Sequence, residues 1–123
     1  MNILSLMKSL FTPASSQTPA SRAARVRTGD AVLVDVRESD EWAHGVAHTA
    51  VLLPLSDLTG ARLQWGPFLA AARDREILLY CASGGRSGLA ARLLAQEGFQ
   101  AHNTGGLTNW AAADWPVVPP QGN

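Results

Sequence analysis

The apolar residues of this chain gather into short runs separated by stretches of helical period, and that alternation leaves few folds open. Residues 31–34 (AVLV), closed by Asp35, read as a strand buried on both faces, because no polar residue falls on alternate positions. Residues 51–53 (VLL) form a second run stopped by Pro54, and residues 76–80 (EILLY), after the charged turn 73–75, form the third and clearest. Residues 101–103 are a weaker fourth. Over residues 86–97, Leu89 and Leu93, then Ala90 and Leu94, repeat at i, i+4, and Gly98 stands where a helix end favours a left-handed residue. Residues 38–44 suit one or two helical turns, with Ser39 as the expected cap. Buried strands alternating with helices predict an α/β fold: a parallel sheet of four to five strands, joined by right-handed crossovers and flanked by helices.

The chain has 123 residues, enough for one such core. Ten basic and ten acidic side chains cancel, which argues against a nucleic-acid partner, since phosphate binding needs a basic surplus. One cysteine excludes an internal disulfide. No apolar run approaches the roughly 20 residues of a membrane span. Residues 1–11 carry Ile3, Leu6, Met7 and Leu10 at helical spacing, and the TPASSQTPAS that follows reads as a linker. The expected layout is an amphipathic helix and linker over 1–27, the folded domain over 28–118 and a tail over 119–123. Lys8 interrupts the first apolar stretch and no basic leading region precedes it, a poor export signal, so the cytoplasm rather than the periplasm is the expected compartment.

The chemistry gathers after the third strand. Cys81 follows it directly, the helix begins near Arg86, and Ala82, Ser83, Gly84 and Gly85 lie between. In an open α/β sheet, ligands bind beyond the carboxyl ends of the strands. Two glycines let the backbone curl so that successive N–H groups turn inward as an anion-binding nest, to which the helix N-terminus adds positive potential. Arg86 adds a fixed charge and a planar donor fork. A thiol there should ionise more readily than a free one, whose pKa is about 8.5. The plain alternative, a small buried hydrophobe at a strand end, leaves the glycines, the arginine and the helix start unexplained. The thiolate reading requires amides turned toward the sulfur and a path to it from solvent.

Tyr80-Cys81-Ala82-Ser83-Gly84-Gly85-Arg86-Ser87, followed by Gly88-Leu89-Ala90-Ala91, resembles the active loop of single-domain rhodanese-like sulfurtransferases. Val32-Leu33-Val34-Asp35-Val36-Arg37-Glu38 with Glu41-Trp42 is similar to the early signature of that family, and Gly105-Gly106, Trp110 and Trp115-Pro116-Val117 to its closing segment. The resemblance covers about residues 28–118. It departs at Gly45-Val46-Ala47-His48-Thr49-Ala50, where the family usually reads Gly-His-Ile-Pro-Gly-Ala, and at Asp114, where a glycine is usual.

The resemblance implies a three-layer domain and a persulfide relay. Cys81 takes a sulfane sulfur from thiosulfate or a similar small-molecule donor and passes it to cyanide, a thiol or a protein acceptor. Ala82, Ser83, Gly84, Gly85, Arg86 and Ser87 are the expected substrate-binding residues. The residues themselves agree, since an activated nucleophile splits one difficult transfer into two displacements. No metal or organic cofactor is implied. The enzymatic rival is a cysteine-loop phosphatase or arsenate reductase, whose loops place five residues between cysteine and arginine, where this chain has four. The non-enzymatic rival is a sulfur-carrier or protein-interaction module built on the same loop.

Asp35 and Arg37 either rim the pocket or form an ion pair behind it. His44, His48 and His102 lack metal-ligand spacing. Trp42, Trp110 and Trp115 read as packing residues, and Trp65, after a loop-like stretch, as part of the pocket rim or of a partner surface.

Overall fold

The computed structural model describes residues 17–121, so the expected helix over 1–11 lies outside the described residues. The sheet has four parallel strands in the order β3-β1-β4-β5: β1 (Ala31–Asp35), β3 (Val51–Leu52), β4 (Glu76–Cys81) and β5 (Ala101–Gly106). The two clearest apolar runs, β1 and β4, are the central neighbours, paired from Ala31–Glu76 to Asp35–Tyr80. Alternation along them feeds two cores. Val32, Val34, Ile77, Leu79 and Cys81 face one side, where they meet Ala90, Ala91 and Leu94 of α5 (Gly85–Gln96), Leu58 of α3 (Leu55–Leu58) and Leu69 of α4 (Trp65–Ala71). Ala31, Leu33, Leu78 and Tyr80 face the other, covered by Ala23 of α1 (Pro19–Thr28), Trp110 of α6 (Leu107–Ala112) and Trp115. Helices on both faces of a parallel sheet make the α/β architecture expected. Among the described residues, no helix is long and apolar enough to cross a membrane.

Three elements differ from expectation. The linker reading ran to Ser21, yet α1 starts at Pro19: Thr18 accepts from the Ser21 N–H, and the proline sits in the first turn, where its missing N–H costs nothing. Arg25 of α1 pairs with Glu76 at 2.6 Å, so packed structure begins ahead of residue 28. The segment Trp65–Ala71, not expected as a helix, forms α4 with Pro67 in its first turn. Trp65, expected near a rim or partner surface, is instead fully buried, edge-on to Phe68, with its Nε1 donating to the Pro54 carbonyl. The short helix α2 (Ser39–Trp42) is capped by Glu38 in a reciprocal box with Glu41, not by Ser39. An antiparallel pair, β2 (Val46–Ala47) with β6 (Val117–Val118), closes the domain outside the main sheet.

The two departures from the resembled pattern leave a mark on the backbone. Thr49 and Asp114 stand where the family usually has glycine, and both hold left-handed φ angles, 71° and 66°. A left-handed conformation costs an L-residue roughly 1–2 kcal/mol, most for a β-branched one, against roughly 0.5–1 kcal/mol of added chain entropy for glycine. Thr49→Gly should therefore raise the urea midpoint, by up to about 1 kcal/mol of stability, and Asp114→Gly by less, because aspartate tolerates this region. A lower midpoint for Thr49→Gly would contradict the assignment of strain.

Candidate active site

Cys81 is the last residue of β4, and its alternation with Ile77 and Leu79 aims the side chain under the N-terminus of α5. The loop turns back at Gly84, which has φ 103° and caps the helix. That turn brings the Gly84 N–H to 3.0 Å from Sγ and the Ser87 hydroxyl to 3.3 Å. Burial pushes the thiol up, but the Ser87 hydroxyl and the amides of Ser87, Ser83 and Gly84 outweigh it and hold the thiol at about 7. A far larger share of the sulfur is then thiolate at neutral pH than for a free thiol.

The path from solvent that the thiolate reading requires is not open: Cys81 is 1% exposed beneath its loop. A cavity of about 90 Å³, lined by Arg22, Thr104, Asn109 and Trp110 among others, belongs to the Tyr80 face of the sheet, not to Cys81. Ala82, Ser83 and Gly85 are exposed around the buried sulfur, and Ser87 is fully buried.

Arg86 does not stand open to an anion. Its two terminal nitrogens bond both carboxylate oxygens of Glu41 at 2.6 and 2.8 Å. The arginine holds the Glu41 carboxyl down at about 2, and Glu41 in turn raises the arginine, though burial works against it. Arg86 still feels the Cys81 sulfur electrostatically.

Asp35, the last residue of β1, and Arg37 just after it form a buried ion pair at 2.8 Å. The guanidinium also donates to the Gly45 carbonyl at 2.7 Å and, at 3.4 Å, to that of Glu41, while Trp42 donates to Asp35. Arg37 thus fixes the turn from which Glu41 reaches Arg86. Tyr80 lies on the same side; burial, then the Asp35 charge, raises its phenol, whose oxygen accepts from the Ala47 N–H.

Two contributors were not read from the sequence as parts of the site. Glu41 was visible only as part of a signature, and Asn103 only as the end of a weak strand. Asn103 donates to the Gly84 carbonyl at 2.9 Å and accepts from Ser87 at 2.7 Å, tying the loop to β5. Gly106 completes that wall: a Cβ there would overlap the Ala82 carbonyl. The signal lay in the spacing, since Asn103, Gly105 and Gly106 continue a strand that neighbours β4.

The chain matches the Rhodanese-like domain over residues 18–113. A sulfurtransferase of Allochromatium vinosum is 36% identical over 97 residues, covering 77% of this chain and 85% of that protein. A rhodanese-related protein from Thermoplasma volcanium superposes with a TM-score of 0.68 at 28% identity, over 83% of this chain and 95% of the other. The human single-domain sulfurtransferase gives a TM-score of 0.63 at 25% identity, over 76% and 91%. The parallel sheet, the loop beyond its central strand and a match over most of the sequence agree: this chain belongs to the rhodanese-like domain family.

Proposed function

We propose that the protein is a sulfurtransferase that moves a sulfane sulfur from thiosulfate, or a donor like it, to cyanide or a thiol through a persulfide on Cys81. One observation carries this reading: the sulfur of Cys81 sits among hydrogen-bond donors of the loop, poised between thiol and thiolate at neutral pH. The thiolate attacks the outer sulfur of thiosulfate, a new S–S bond forms, and the old one breaks with its electron pair leaving on sulfite. The acceptor then attacks the terminal sulfur and Cys81 leaves as thiolate. The loop amides stabilise charge on the terminal sulfur as an oxyanion hole does on oxygen. A reducing compartment such as the cytoplasm keeps a free thiol in this role available between turnovers.

Incubation with thiosulfate should add one sulfur atom to the mass of the protein, removable by cyanide, and Cys81→Ser should add none while keeping the fold. Turnover of an aryl phosphate without sulfur uptake would overturn the reading in favour of a phosphatase. A second reading, a sulfur carrier that receives sulfur from another protein, is favoured by Arg86, whose charge is already paired with Glu41 and so offers less to a small dianion. Persulfide formation with no turnover of small donors would select it.

The Glu41–Arg86 pair gives this proposal a directional consequence. Its side chains are 30% and 35% exposed, so the pair is worth roughly 0.2–1 kcal/mol and opens readily. Glu41→Gln frees Arg86 for a dianion and should lower the thiosulfate KM by up to about fivefold. An unchanged or raised KM would remove Arg86 from the donor site.

A further inference from the structure

Ser87 has one hydroxyl hydrogen and three acceptors within reach: Asn103 Oδ1 at 2.7 Å, Cys81 Sγ at 3.3 Å and the Gly105 carbonyl at 3.4 Å. Ser87 is fully buried, so water does not make up the deficit at the hydroxyl. The orientation of Asn103 is fixed from both ends. Its Nδ2 donates to the Gly84 carbonyl at 2.9 Å, and its Oδ1 accepts the Gly105 N–H at 3.0 Å. Oδ1 is therefore the atom facing Ser87, and it can only accept.

We propose that Asn103 is a positioning residue that competes with the Cys81 sulfur for the single hydroxyl proton of Ser87, and so sets how readily the thiol ionises. While Cys81 is protonated, its S–H points to Ser87 Oγ and the Ser87 proton goes to Asn103. When the thiol proton leaves to solvent, the Ser87 hydroxyl rotates and donates to the thiolate. Among the described residues, Asn103 Oδ1 is then left with the Gly105 N–H as its donor. Each ionisation thus breaks the shortest hydrogen bond of the network, and Asn103 holds the thiol less acidic than Ser83, Gly84 and Ser87 alone would make it.

Among the described residues, the charged groups around the sulfur are few. Arg86 of α5 acts on it directly, with Glu41 of α2 and Glu38 acting on Arg86. Asp35, Arg37 and Tyr80 lie at the ends of β1 and β4 with the other core, and His102 pairs with Glu76 at the opposite end of β4. From β5, the contacts on Ser87 are thus neutral ones, made by Asn103 and Gly105.

The proposal deepens the sulfur-transfer reading, but its readout, ionisation of Cys81 followed by thiolate absorbance, does not depend on transfer. Asn103→Leu keeps the bulk, excludes water and removes the acceptor. It should lower the ionisation midpoint by about one pH unit, a tenfold change in the acid constant. Ser87→Ala should raise the midpoint, and Asn103→Leu added to Ser87→Ala should cause no further shift. Asn103 is exposed, so the substitution spares the core, and Asn103→Met, which likewise fills the space with an apolar chain, is a second probe of the same direction. An unchanged or raised midpoint in both Asn103 variants, or a shift of equal size in the Ser87→Ala background, would overturn the proposal. The first result would leave Asn103 only as a clamp on the Gly84 carbonyl.

Discussion

Arg37→Met is expected to cost about 3–5 kcal/mol of stability, because it strips a buried carboxylate of its partner. Asp35 has no exposed surface and Arg37 only 6%. Three of the hydrogen bonds that hold the carboxylate come from the Arg37 side chain, at 2.8–3.1 Å. The Gly45 carbonyl loses its donor as well. The Arg62–Glu97 pair has equally short contacts, 2.7 and 2.8 Å, but its side chains are 33% and 37% exposed. Breaking that pair should cost only roughly 0.2–1 kcal/mol, since water replaces what is lost. The two variants, compared by urea denaturation, separate burial from geometry. Combining Asp35→Leu with Arg37→Met should recover most of the loss, because no charge is then left buried alone. A loss below about 1 kcal/mol for Arg37→Met would show that the pair does not hold this end of the sheet.

Gly106→Ala should reduce sulfur transfer by about 100-fold or more while the protein stays folded. The added Cβ meets the carbonyl carbon and oxygen of Ala82 and the Cα of Ser83, all backbone atoms with no rotamer to yield. The loop must move off β5, and the donors it aims at the sulfur from Ser83 and Gly84 go with it. Core packing lies below this level, so the far-ultraviolet spectrum should not change. Gly66→Ala, in α4 and away from the loop, is the control: among the described residues nothing stands within 4 Å of a Cβ there, and transfer should be nearly unchanged. Activity within a few-fold of wild type for Gly106→Ala would mean that the loop geometry does not matter to the reaction.

β1, β3 and β4 were legible as apolar runs, and β1 and β4, the clearest, are the pair at the centre of the sheet, whereas β5, with His102, Asn103 and two glycines, showed only its first residues. The helix after Cys81 was legible from Leu89, Leu93 and Leu94. A proline misled. Pro19, inside the stretch read as linker, occupies a first turn, where proline is tolerated, so α1 was missed, and the short α4 has Pro67 in its first turn and was not read at all. Within the site, local sequence pointed to the amide collar, since Gly84 and Gly85 are adjacent to the thiol. What it could not show were partners brought from elsewhere: Glu41, 45 positions before Arg86, and Asn103, 16 after Ser87. Nor could it show depth. A cysteine at a strand end and a cysteine sealed under its loop have the same neighbours in sequence, and only packing separates them.

The measurement that bears most directly on this account is the ionisation midpoint of Cys81, read from thiolate absorbance across pH. With the loop donors around the sulfur, the midpoint should fall near 7. The thiol is then more acidic folded than unfolded, so stability should rise as pH climbs from about 7 toward 9, while the unfolded chain still holds the proton. A midpoint at or above about 8.5, the value of an unassisted thiol, would contradict it.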